Sequence, residues 1–263
     1  MNGTLSRLTR VIQRRRYGPR IQINYQGKLD RLGSDYGGWV FVPDPSLFGS
    51  TMLSCGLGED ASFDIEFAQR YRASVVLVDP TPRAIAHFNA IVCNLGKPKS
   101  VDYSPGGMQQ VESYDLTRIG IDQLSLVPFA LSDSVGTAKF YEPPNPEHVS
   151  HSLVNLQNRY ADNTPSIEVS TVNFENLIQN EKLAEISIAK FDIEGSEIAV
   201  VPDMIASGVF PGQVLIEFDE MNFPSPRARD NFLKIDRLLN DHGYEAVFFD
   251  SRSCVTFIRQ GEK

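Results

Sequence analysis

The C-terminal end of the chain constrains the fold most. Two β-type runs, Glu245–Asp250 and Cys254–Arg259, are separated only by Ser251-Arg252-Ser253. Parallel neighbours need a crossover of a dozen or more residues, so these two runs form an antiparallel hairpin. Upstream, the pattern is different. Thr51–Cys55 is a short strand, Phe63, Phe67 and Tyr71 lie at helical spacing, and Ser74–Val78 is an unbroken apolar run of the kind buried on both faces of a parallel sheet. Thr81-Pro82 opens a helix, with threonine at the N-cap and proline at the first helical position. This β-α-β-α progression predicts an α/β fold with a mostly parallel, doubly wound sheet that ends in an antiparallel hairpin.

The remaining elements fit that plan. Leu124–Phe129 and Thr137–Tyr141 read as strands, and Ile167–Thr171 as an edge strand. Ile186–Phe191 and Val214–Phe218 are further core strands, and a helical segment reaching Ser207 is interrupted at Pro202. A helix over 227–242 has Ser225 as its N-cap, Pro226 at its first position and Gly243 as its terminator. The stretch 142–165 holds four prolines and reads as a functional loop. Residues 1–38 are polar and basic (Arg7, Arg10, Arg14, Arg15, Arg16, Arg20) and read as an N-terminal basic extension ahead of one domain over 39–263.

Charge excludes some functions. With 25 Lys and Arg against 33 Asp and Glu, the net charge is −8. Broad nucleic-acid binding needs a basic surface, so no nucleic acid is expected as a partner. Three cysteines without a CxxC spacing argue against a disulfide framework or a structural zinc site and fit a cytoplasmic protein. No transmembrane segment is visible, and no apolar stretch follows the basic N-terminus to make a secretory signal.

Two features point to a nucleoside cofactor. Gly56-Leu57-Gly58-Glu59-Asp60-Ala61 lies between a strand and a helix, where glycines permit a tight turn and close approach of a ligand. Any strand-to-helix turn could use the same residues. Asp79 ends the next strand, 23 residues beyond Gly56, where a carboxylate can accept hydrogen bonds from both ribose hydroxyls. NAD and S-adenosylmethionine share that ribose logic. NAD also needs an anion cradle, which Glu59 and Asp60 oppose, whereas an acidic turn favours the cationic methyl donor.

Ser54-Cys55-Gly56-Leu57-Gly58-Glu59-Asp60, Val78-Asp79-Pro80-Thr81-Pro82, Ala130-Leu131-Ser132-Asp133 and Lys190-Phe191-Asp192-Ile193-Glu194-Gly195-Ser196-Glu197 together resemble the FkbM-type methyltransferases over roughly residues 50–260. Many members carry Asp where this chain has Ser54, and Ala-Asn where it has Leu57-Gly58, so the resemblance is to a divergent branch. It implies a Rossmann-like class I methyltransferase fold, whose sheet ends in such a hairpin. It also implies S-adenosyl-L-methionine as donor and O-methylation of a small molecule or sugar hydroxyl. By the same resemblance, Ser54, Cys55, Gly56, Leu57, Gly58 and Asp60 would cradle the methionine part. Asp79 and Pro80 would lie at the ribose, and Ala130 and Leu131 beside the adenine. Asp192 and Glu194 would face the transferred methyl or the acceptor.

An aliphatic hydroxyl is a weak nucleophile and needs a base or a metal. His151, Asp192, Glu194, Glu217 and Asp219 are candidate bases, and histidine is the side-chain type most often used for that work. His148 has no supporting motif, and His87 and His242 fall on predicted helices as surface residues. Asp192, Glu217 and Asp219 could also clamp Mg²⁺ across vicinal hydroxyls, but plain strand-end polarity is the better account of them, and no metal site is assigned. An NAD-dependent oxidoreductase and a non-catalytic binding module with a degenerate site stay open as alternatives.

Overall fold

The structure, a computed structural model, describes residues 13–18, 20–145 and 150–260. Its body is a seven-stranded sheet. Strands β3 (Thr51–Cys55), β4 (Ser74–Val78), β5 (Leu124–Val127), β9 (Ile188–Phe191) and β10 (Gln213–Glu217) run parallel. The hairpin β11 (Tyr244–Phe249) and β12 (Cys254–Arg259) adds antiparallel to β10, giving the order β11-β12-β10-β9-β3-β4-β5. The strand order reverses between β3 and β9, the place where doubly wound sheets bind ligands beyond their carboxyl ends.

Helices cover both faces. On one, α1 (Ser62–Tyr71) and α2 (Pro82–Cys93) bury Phe63, Phe67, Tyr71 and Ile91 against Met52, Leu77 and Leu215. On the other, α3 (Phe174–Glu181), α4 (Glu197–Ala206) and α5 (Pro226–Asp241) bury Phe174, Val201, Met204 and Phe232 against Leu53, Ala189 and Ile216. Alternate residues of each strand feed the two cores, so the apolar runs are continuous rather than alternating.

Thr81 and Ser225 cap α2 and α5 as expected, accepting from the amides of Ala84 and Ala228. Two readings change. Pro202 does not interrupt its helix: α4 runs through it, because one missing N–H is offset by the packing of Val200, Val201, Met204 and Ile205. β8 (Ser166–Val172) is not an edge strand but the middle of a small sheet, between β6 (Ala130–Leu131) and β7 (Gly136–Tyr141). Helix α3, capped by Asn173, carried no expectation at all.

Part of the segment expected as an extension is folded against the body. β1 (Asp30–Leu32) pairs with β2 (Trp39–Phe41), and the intervening turn is tied to α1 where Ser34 N–H donates to Ser62 Oγ (2.7 Å). Arg7, Arg10 and His148 lie outside the described residues. Among the described residues the three cysteines are free, and no helix is long and apolar enough to cross a membrane.

Candidate functional site

A cleft of about 730 Å³ opens at the carboxyl end of the sheet, at the switch point. It is lined by Gly56, Leu57, Gly58, Asp60, Asp79, Pro80, Ala130, Leu131, His151, Asp192 and Glu194, which brings eleven of the expected site residues together. Ser54 and Cys55 do not line it; both are fully buried in β3 beneath the turn.

The turn is fixed by the sheet rather than left open for a ligand. Gly56 has a left-handed φ of +90°, and a Cβ there would run into the backbone oxygen of Asp192. Its glycine therefore permits the approach of β3 to β9. Gly56 N–H donates to Val78 O (3.0 Å), and its carbonyl accepts from Lys190 Nζ (2.8 Å). The next two amides, of Leu57 and Gly58, both donate to Asp79 Oδ2 (3.0 Å each). Asp79 Oδ1 accepts from the amide and hydroxyl of Thr81 (2.8 and 2.7 Å). All four acceptor positions of this carboxylate are thus taken by the chain itself.

The acidic pair of the turn is also engaged. Glu59 pairs with Arg83 of α2. Asp60 accepts from Ser34 Oγ (2.6 Å), Ser62 N (3.0 Å) and Gln109 Nε2 (3.3 Å). The Ala61 amide donates to the Tyr114 hydroxyl (3.0 Å), which shares a hydrogen bond with His87 Nε2 (2.9 Å). His87 is therefore not a plain surface residue, and burial pushes its pKa down.

Across the cleft lie four acids, Asp192, Glu194, Glu217 and Asp219, that make no ion pair among the described residues. No hydrogen-bond donor among the described residues reaches the Asp192 carboxyl; burial, then the Glu217 charge, pushes it up to about 7, with Lys190 opposing. Glu194 is raised well above its ordinary value by burial and by Asp219 and Asp192. Asp219 rises to about 6, again chiefly through burial, and its Oδ2 is buried without a partner among the described residues. Behind them, the fully buried Glu197 accepts from Gly195 N (2.9 Å) and Asp219 N (3.2 Å) and is pushed up to about 8 by burial. Among the described residues these side chains do not converge into a group of three or more that could hold a metal ion.

The 142–165 loop reaches this cluster. Ser152 Oγ donates to the Glu194 carbonyl (2.6 Å), and Gln157 Nε2 to Glu194 Oε2 (2.6 Å). These bonds hold Glu194 at φ +56°, left-handed for a non-glycine residue, the kind of strain found at functional sites. His151 lines the cleft in the same loop, its ring stacked on Phe140 with centroids 5.9 Å apart.

Sequence reasoning missed three residues. Lys190 is the one charged residue in an apolar strand, which is the signal that could have marked it. Thr81 serves Asp79 as well as its helix. Tyr36, largely exposed, lines the cleft from the turn after β1; its hydroxyl pKa is raised by desolvation and by the charges of Asp192, Glu194, Glu217 and Asp60, and nothing local in sequence indicates that influence.

The sequence matches the family described as methyltransferase FkbM domain over residues 24–246. No curated relative matches. Among solved structures, a point mutant of the 16S rRNA (adenine(1408)-N(1))-methyltransferase from Catenulisporales acidiphilia is similar, with 11% identity, 89% of this chain and 100% of that chain covered, and a TM-score of 0.36. With its parallel sheet, terminal hairpin and cleft at the switch point, the chain belongs to the FkbM domain family of methyltransferases.

Proposed function

We propose that the protein is an S-adenosyl-L-methionine-dependent methyltransferase acting on a hydroxyl of a small molecule or saccharide. One observation carries the choice of donor. The amides that would cradle a pyrophosphate, those of Leu57, Gly58, Ala61 and Ser62, already serve protein acceptors, while the Asp192 carboxyl, unpaired among the described residues, stands at the switch point beside Glu194, Glu217 and Asp219. Of the cations that line the cleft, Lys190 and Arg31 are bound to backbone carbonyls. A cationic nucleoside fits this environment and a dianionic dinucleotide does not.

S-adenosylmethionine supplies a methyl group already activated by its sulfonium. Gly56, Leu57, Gly58 and Asp60 border its amino-acid portion, and Ala130 and Leu131 offer apolar wall for the adenine. Asp79 orders the turn first; a ribose hydroxyl reaches it only in exchange for one of its four present donors. Asp192 supplies negative charge beside the reacting centre once a cationic donor favours its ionised form, and Glu194 lies next to it. His151 is the base that takes the hydroxyl proton of the acceptor. The protein otherwise aligns the two reactants and excludes water.

Calorimetry with S-adenosylhomocysteine and, separately, NADH tests the reading. Binding of the first alone is expected. Binding of NADH alone, or retention of neither at millimolar concentration, overturns it.

A further inference from the structure

We infer that Lys190 is a positioning residue of the donor site: its ammonium fixes the carbonyl of Gly56, and Asp64 is the counter-charge that lets it stand in the core. The donor part of this statement rests on the proposed function; the hold on the turn does not.

Lys190 lies in the middle of β9, opposite Ser54 of β3, and is 2% exposed. An ammonium removed from water is costly unless it is paired and hydrogen-bonded, so a lysine in an otherwise apolar central strand calls for a specific use. Its bonds define that use. Nζ donates to Gly56 O (2.8 Å) and lies 3.4 Å from Ser54 Oγ, and it stands over the Trp39 ring, 5.6 Å from the centroid. The bond to Gly56 fixes one pole of the Gly56–Leu57 peptide, whose other pole is held by Asp79. With the ammonium gone, the carbonyl of a glycine at φ +90° loses its partner, and only the Asp79 bond still restrains that peptide plane.

The compensating charge is on the helix that the turn opens. Asp64, in the first turn of α1, is 1% exposed, and neither of its carboxylate oxygens has a hydrogen-bond partner among the described residues. Burial pushes this carboxyl up, and the Lys190 charge is the strongest influence pulling it back. Removing Lys190 alone therefore takes away the strongest influence that favours an ionised Asp64 in the core, and its pull on Asp192 with it, which destabilises the fold whatever happens at the turn. Removing both charges separates the two effects.

The experiment compares the full chain with Lys190→Met and with the pair Asp64→Asn plus Lys190→Met. It reads melting temperature, amide hydrogen exchange over peptide 54–61, and affinity for S-adenosylhomocysteine. Lys190→Met lowers the melting temperature, speeds exchange in that peptide and weakens binding about tenfold or more, the size of one charge-assisted hydrogen bond. The pair regains the melting temperature but keeps the fast exchange and the weak binding. If the pair also regains slow exchange and tight binding, Lys190 only balances charge and the positioning role is overturned. If the pair melts as low as Lys190→Met, Asp64 is not the counter-charge. Should Lys190→Met fail to fold, the pair carries the exchange measurement. Should the unmodified chain bind no S-adenosylhomocysteine, the proposed donor fails, while exchange over 54–61 still decides whether Lys190 holds the turn.

Discussion

Lys190 and Asp79 hold opposite poles of one peptide unit. The Lys190 ammonium binds the carbonyl of Gly56, and Asp79 Oδ2 binds the amide of Leu57. The first comes from β9 and the second from the end of β4, so the two strands that flank β3 jointly set the turn that follows it. The cleft inherits its shape from that grip.

Asp79→Asn keeps the side-chain outline but replaces one acceptor oxygen with an NH2 group that faces donors. Leu57 and Gly58, or Thr81, then lose their partner. The dissociation constant for S-adenosylhomocysteine rises about tenfold or more, or about 1.4 kcal/mol. Unchanged affinity by calorimetry would remove Asp79 from the donor site.

Gly56→Ala brings a Cβ into the Asp192 carbonyl at a left-handed φ. β3 and β9 must part to admit it. Denaturant unfolding shows a loss of at least about 2 kcal/mol, and donor affinity falls with it. A variant as stable as the parent would mean that the two strands do not need this contact.

Stability falls as pH rises from about 5 to about 8. Asp192, Asp219 and Glu197 have folded-state values of about 7, 6 and 8, all above their ordinary carboxyl values. In that window the folded chain binds more protons than the unfolded one, so raising the pH favours unfolding. Melting temperatures recorded across the range decline, and Glu197→Gln flattens the decline at its alkaline end. A curve that rises from pH 5 to pH 8 contradicts the burial of these carboxyls.

Donor binding has the opposite pH dependence. A cation beside Asp192 favours its ionised form, so binding expels a proton wherever Asp192 starts protonated. Affinity for S-adenosylmethionine climbs as pH passes from 6 to 8. Calorimetry in buffers of different ionisation enthalpy measures the released proton, and no release would detach Asp192 from the donor.

His151→Ala lowers turnover by roughly 10²-fold and leaves S-adenosylhomocysteine affinity unaltered, as expected of a base that touches only the acceptor. Steady-state rates with the first acceptor that supports turnover, set beside calorimetry, check both halves. Full activity clears His151 of that role.

Much of this fold was legible because its signals are local. Ser225-Pro226 and Thr81-Pro82 are cap and first-turn pairs complete within two residues, and the three-residue link in the hairpin admits only one strand direction. What stayed hidden depends on partners distant in sequence. Glu59 reads as free negative charge until Arg83 is placed beside it. Asp79 reads as an open ribose acceptor until Leu57, Gly58 and Thr81 fill it. β8 looks like an edge because β6, which covers its second side, is only two residues long. Nothing near Tyr36 in the chain announces the four acids whose charges reach it. The acidic character expected of the cleft is present, but it is carried by the mouths of β9 and β10 rather than by the glycine turn.

The bonds from Ser152 and Gln157 to Glu194 make the insert between β7 and β8 and the end of β9 one mechanical part. Anyone exchanging that insert to alter acceptor choice would be retuning an acid three elements away in the same stroke. A graft that omits these two side chains surrenders the backbone twist at Glu194.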